Sequence, residues 1–153
     1  MNEPSPAKQL AGFLDKYDPA VAKLARAALA GLRKQLPGAF QLVYDNYNAL
    51  AIAFSPRDTS SAALFSIAVY PRWVSLFFAQ GARLPDPTML LKGSGNKMRH
   101  VVLTQADDIH SPAVESLIAA ALDLSGNPFG PDLKGRPIIK AIAAKQRPRR
   151  AGK

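Results

Sequence analysis

Four strand-type segments follow one another between residues 40 and 79, and no gap between them is long enough to hold a helix of ordinary length. Residues 40–44 and 49–54 flank Asp45-Asn46-Tyr47-Asn48, a cluster of turn formers between β-type side chains. Residues 63–70 and 73–79 flank Pro71-Arg72 in the same way, with a polar loop over 55–61 between the two pairs. A parallel pair needs a crossover of about a dozen residues or more, usually a helix. The run therefore specifies antiparallel hairpins and excludes a doubly wound parallel sheet. In the fourth segment Trp73, Ser75 and Phe77 share one face, and Val74, Leu76 and Phe78 share the other. Both faces are largely apolar, which puts this strand inside the sheet with helices on at least one side.

Helix signals bracket the run. Ser5-Pro6 is an N-cap followed by proline at the first helical position, opening a short helix to about Tyr17. Asp18-Pro19 repeats the signal. Beyond it Val21, Leu24, Ala25, Ala28, Leu29 and Leu32 recur at helical spacing, with Lys23, Arg26, Arg33 and Lys34 on the remaining face, until Pro37-Gly38 ends the helix. Asp86-Pro87 predicts a short helical turn through Leu91, Gly93-Ser94-Gly95-Asn96 a loop, and 98–104 a fifth strand. Ser111-Pro112 opens a helix carrying Val114, Leu117, Ile118, Ala121 and Leu122 on one face. Residues 137–145 fit either a helix face through Ile138, Ile139 and Ile142, or a strand. The expected fold class is α+β: an antiparallel sheet of about five strands with N-terminal and C-terminal helices packed on one face.

Charge divides the chain unevenly. The whole carries +9, but residues 1–133 balance to +1 and residues 134–153 hold eight Lys/Arg and no acid. We therefore expect a single, nearly neutral domain over 1–133 and a basic C-terminal extension over 134–153. That extension is either a solvated tail or a segment docked on the domain through arginine–acid pairs. With no cysteine and only two histidines, disulfides, thiol chemistry and cysteine-ligated metal are excluded, and no cofactor is expected. No apolar stretch approaches the roughly 20 residues of a membrane span, and residues 1–7 lack a signal-peptide core. On those absences a bacterial cytoplasmic location and no membrane partner are expected.

Several phrases point to a family. They include Tyr44-Asp45-Asn46-Tyr47-Asn48-Ala49-Leu50-Ala51, Tyr70-Pro71-Arg72-Trp73-Val74-Ser75-Leu76-Phe77-Phe78, Gly81-Ala82-Arg83-Leu84-Pro85-Asp86-Pro87, Leu91-Lys92-Gly93-Ser94-Gly95 and Arg99-His100-Val101. The ending Lys145-Gln146-Arg147-Pro148-Arg149-Arg150 adds to them. Over roughly residues 8–150 the chain resembles the YdhG-like family, small bacterial domains of unknown function. The resemblance implies a helix-flanked antiparallel sheet distantly similar to frataxin. Some relatives are described as iron chaperones, a role that relies on exposed acidic surface. The first two helices here hold only Asp15 and Asp18 against six Lys/Arg, a departure that counts against iron handling.

Three groups of residues are candidates for function. Tyr44, Asn46, Tyr47 and Asn48 combine rings for stacking with amides for orientation. Lys92, Lys97, Arg99 and His100 surround a glycine-containing loop whose N–H groups can form an anion-binding nest. Each also has an ordinary structural reading as a turn, a polar connection or a hydrogen-bonded histidine. Lys145, Arg147, Arg149 and Arg150 can neutralise phosphates without reading bases, since residues 130–153 contain no aromatic side chain for stacking. No G-x-S-x-G or H-E-x-x-H pattern is present, and Asp107-Asp108 stands where a helix start favours negative charge. The leading expectation is a non-enzymatic binding module for a small anionic ligand, held in a cleft between 44–48 and 92–100. Nonspecific nucleic-acid association through the basic extension is the alternative, and a frataxin-like iron role comes third.

Overall fold

A computed structural model describes residues 4–151. Three helices, α1 (Pro6–Asp15), α2 (Pro19–Gln35) and α3 (Pro112–Ser125), accompany six strands: β1 (Phe40–Asp45), β2 (Leu50–Ser55), β3 (Phe65–Val69), β4 (Val74–Phe78), β5 (Arg99–Leu103) and β6 (Pro137–Ile142). The strands form one sheet in the order β5-β4-β3-β2-β1-β6. The first four pair as successive antiparallel neighbours, and β5 adds antiparallel to β4.

The helix starts follow from their caps. Ser5 Oγ accepts from Lys8 N at 3.2 Å and Ser111 Oγ from Val114 N at 3.3 Å, with proline first in each helix. α3 ends at Gly126, whose φ of 73° is the left-handed conformation glycine adopts at least cost. α2 gives way at Gly38, also left-handed (φ 77°), where an added Cβ would sit 2.3 Å from Gly130 O.

Alternation gives the sheet two unlike faces. Val43, Ile52, Phe54, Phe65, Ile67, Val69, Val74, Leu76, Phe78, Val101 and Leu103 point to the helices and join Leu14, Leu29, Leu32, Leu117 and Ile118 in one buried cluster. Phe65 and Phe78 meet edge-on there at 5.6 Å between centroids. Each large side chain so buried contributes roughly 1.5–3 kcal/mol. The outward residues, among them Tyr44, Ala51, Ser66, Phe77, His100 and Val102, lie outside that cluster.

The α+β class agrees with expectation, but two parts of the sheet differ. It has six strands rather than about five, and it is mixed rather than purely antiparallel, because β6 lies parallel to β1. The ambiguous stretch after Pro137 resolves as a strand because β1 offers an unpaired edge and β-branched isoleucines suit a pleated surface. Pro137, without an N–H, is tolerated at the first position of an edge strand. Residues 134–151 are therefore not an appendage: they supply a strand of the same sheet. The predicted helical turn after Asp86 is a single turn instead, in which the Asp86 carboxylate accepts from Leu90 N and Leu91 N.

Candidate functional site

The two stretches expected to share a cleft lie at opposite corners of the sheet. Residues 46–49 join β1 to β2 beyond the Asp45–Leu50 pair. The loop ending at Lys97 leads into β5 beside Phe78, at the other end of the strands and at the far edge, with β4 and β3 lying between β5 and the β1–β2 hairpin. They do not form one site.

The corner at 44–48 is occupied by the chain's own C-terminal segment. Ala143 N donates to Asp45 O at 2.8 Å and Arg147 N to Tyr47 O at 2.9 Å, which carries the chain past β6 and over the turn. Arg149 Nη2 then donates to Asp45 Oδ1 (3.0 Å) and to Asn46 O, and Nη1 to Tyr47 O (3.2 Å). Lys16 Nζ donates to the other carboxylate oxygen at 2.8 Å and to Gln146 Oε1 at 2.9 Å. Burial pushes the Asp45 carboxyl up, but the donors Lys16, Gln146 and Arg149 outweigh it and hold the carboxyl below its ordinary value. Tyr17 lies beneath, its ring 5.9 Å from the Arg149 guanidinium carbon. Its hydroxyl donates to Val69 O and accepts from Leu50 N, and burial raises its pKa to about 12. Of the predicted residues here, Tyr47 and Asn48 are exposed and Tyr44 lies half-buried on the outward face. Asn48 meets Arg147 at 3.4 Å.

The basic segment is thereby divided. Arg149 is buried and paired with Asp45, and Arg150 stands 3.7 Å from Asp18. Lys145 and Arg147 are exposed.

At the opposite corner Lys92 and His100 exchange both backbone hydrogen bonds, at 2.7 and 3.0 Å, an isolated bridge on the edge of β5 away from β4. The His100 ring packs on Phe77 at 4.9 Å between centroids. Burial, and then the charge of Lys92, lower the His100 pKa. Lys97 is exposed and Arg99 half-buried.

Sequence reasoning missed a third place. A groove of about 500 Å³ runs between α1, α2 and the β1–β6 edge, floored by Leu10, Leu14 and Leu29. Arg26 and Arg33 stand on its wall. Arg26 is paired with Asp15 at 2.6 Å. Arg33 has no carboxylate partner among the described residues. Its Nε donates to Gln41 Oε1 at 2.7 Å, while Gln41 Nε2 donates to Ala39 O. Gln41 is 8% exposed, so both ends of its amide are fixed, and it holds the guanidinium in place. Partial burial of that guanidinium lowers its pKa below the usual arginine value. The seven-residue spacing of Arg26 and Arg33 puts both on one side of α2. Only the docking of α1 shows that this side borders an apolar groove.

Among the described residues no group of three or more His, Asp or Glu gathers to hold a metal ion, and no helix is long and apolar enough to cross a membrane. No family model, curated protein or solved structure matches the chain.

Proposed function

We propose that the protein is a non-enzymatic binding module for a small anionic ligand with an apolar body, held in the groove between α1 and α2. The observation that carries this reading is Arg33: a guanidinium oriented by Gln41 and unmatched by any described carboxylate, beside an apolar floor. A carboxylate would take the place of the missing acid through charge-assisted hydrogen bonds, and its hydrocarbon part would cover Leu10, Leu14 and Leu29. Membership of the YdhG-like family, with its frataxin-like arrangement, is part of this proposal. Three helices on one face of an open sheet support it.

Calorimetric titration with octanoate, 1-octanol and inorganic phosphate tests the reading. Octanoate should bind and the alcohol should bind roughly tenfold or more weakly, since the charge-assisted contact is lost. Arg33→Met should abolish the preference. Equal binding of acid and alcohol, or octanoate binding unchanged in Arg33→Met, would sink the idea.

A further inference from the structure

The sheet face turned away from the helices has an unusual relief. Two rows cross it in register. His100, Phe77, Ser66, Ala53 and Leu42 form one; Val102, Ser75, Ala68, Ala51 and Tyr44 form the other. The centre is floored by alanine and serine, and rings stand at the side. Phe77 packs against His100. Tyr70 and Trp73, the pair beyond Val69 and Val74, stack at 4.6 Å with 20° between planes. Trp73 remains 43% exposed. Beside Phe77 a groove of about 300 Å³ is bordered by Ser60, Ser61, Ser66 and Met98.

No acid is among the outward residues of the six strands, whereas Arg72 sits in the turn between the stacked rings and Lys92 pairs across from His100. Both cations are exposed. One exposed ring and three half-buried ones beside a floor of small side chains, a cleft of nucleobase size edged by hydroxyls, and cations at both ends match one partner chemistry: unpaired bases linked by phosphates. Trp73 and Phe77 lie four residues apart on one strand face, about 13 Å at the rise of a β-strand. A flexible single strand can lay one base on each. A duplex cannot, because its bases are already stacked and paired.

We propose that the open sheet face binds single-stranded nucleic acid, with bases stacking on Trp73 and on the Phe77–His100 pair, one base seated beside Ser60 and Ser66, and phosphates meeting Arg72 and Lys92. This differs from a basic tail binding phosphates alone, since it predicts a requirement for rings and for unpaired bases.

Trp73 is the only tryptophan in the chain, so its fluorescence reports directly on stacking. The full-length protein is titrated with short oligo-dT, oligo-U and a duplex of equal length at about 50 mM salt, where phosphate contacts are strong. Quenching of Trp73 and a rise in anisotropy of labelled single strands are expected, with the duplex much weaker. The comparison of dT with U tells DNA from RNA as the source. Trp73→Ala and Phe77→Ala should each weaken binding roughly tenfold, and Trp73→Phe, which keeps a stacking ring, should restore most of it. Circular dichroism confirms that each variant folds. No binding of either single strand overturns the proposal. So does binding that ignores both alanine variants, or that is as tight for the duplex. Self-association that quenches Trp73 without nucleic acid also overturns it, by showing that a second copy covers the face.

Discussion

Arg149 Nη2 lies 3.0 Å from Asp45 Oδ1, and neither side chain meets solvent to any extent: 3% and 0% of their surfaces are exposed. The pair spans 104 residues of chain and joins the turn after β1 to the end of the described segment. A buried pair of this kind adds little by itself, because desolvation offsets the attraction, but removing one partner strands the other. Asp45→Ala leaves the buried Arg149 guanidinium without its carboxylate and should cost about 3–5 kcal/mol in urea unfolding. The double variant Asp45→Leu/Arg149→Met should lose clearly less than the sum of its two single changes. Additive losses would show that the two residues do not act as a pair.

Asp45 also links stability to acid. Its carboxyl titrates below the ordinary value of 3.8, so the unfolded chain takes up a proton before the folded one does. Its contribution is complete above about pH 5 and is lost as pH falls through the folded value. Unfolding free energy measured downward from pH 5 should therefore fall more steeply in the wild type than in Asp45→Asn. Parallel curves would count against the depressed pKa.

Tyr17 makes the opposite prediction at high pH. Its hydroxyl donates to Val69 O at 2.8 Å and accepts from Leu50 N at 3.2 Å, and its pKa is raised from 10.0 to about 12. Between those values the unfolded state loses the proton and the folded state keeps it, so stability present below pH 10 declines as pH rises. Tyr17→Phe should lose about 1–3 kcal/mol at neutral pH by leaving Leu50 N without its acceptor. Its stability should then fall less than the wild type's between pH 10 and 12. A hydroxyl that titrates with an ordinary midpoint in tyrosinate absorbance would refute this.

Much of this corner could be named from sequence but not assembled from it. Ser5-Pro6, Asp18-Pro19 and Ser111-Pro112 announce their helices because the signals are local, and the hairpins of 40–79 follow from turn residues and alternation. Asp18 shows how far such a signal reaches: it precedes α2 as expected, yet its side chain makes no cap bond and stands near Arg150 instead. β6 is different in kind. It pairs with β1 across about ninety residues of chain, and a parallel edge strand carries no turn to mark it. The Arg33 groove needs the position of α1 against α2, which no spacing within either helix specifies. The outward face of the sheet was half legible: alternation puts Trp73, Ser75 and Phe77 together, but only the packing of all three helices on the other side leaves Trp73 exposed and Phe77 half-buried.

Ser75 on that open face offers a test of how finely the sheet is packed. Its hydroxyl is buried, with the residue 1% exposed, and has no hydrogen-bond partner in the protein. Its neighbours in register are Val102 and Ala68, neither of which offers a polar side chain. An unmatched buried hydroxyl costs roughly 1–3 kcal/mol, whereas an alanine methyl at the same place loses only one small atom's contacts. Ser75→Ala should therefore be at least as stable as the wild type, by up to about 1 kcal/mol in thermal or urea unfolding. Because Ser75 lies between Trp73 and Phe77 without being a stacking group, the same variant should leave single-strand binding unchanged. Destabilisation by Ser75→Ala would mean that the hydroxyl has a partner in solution.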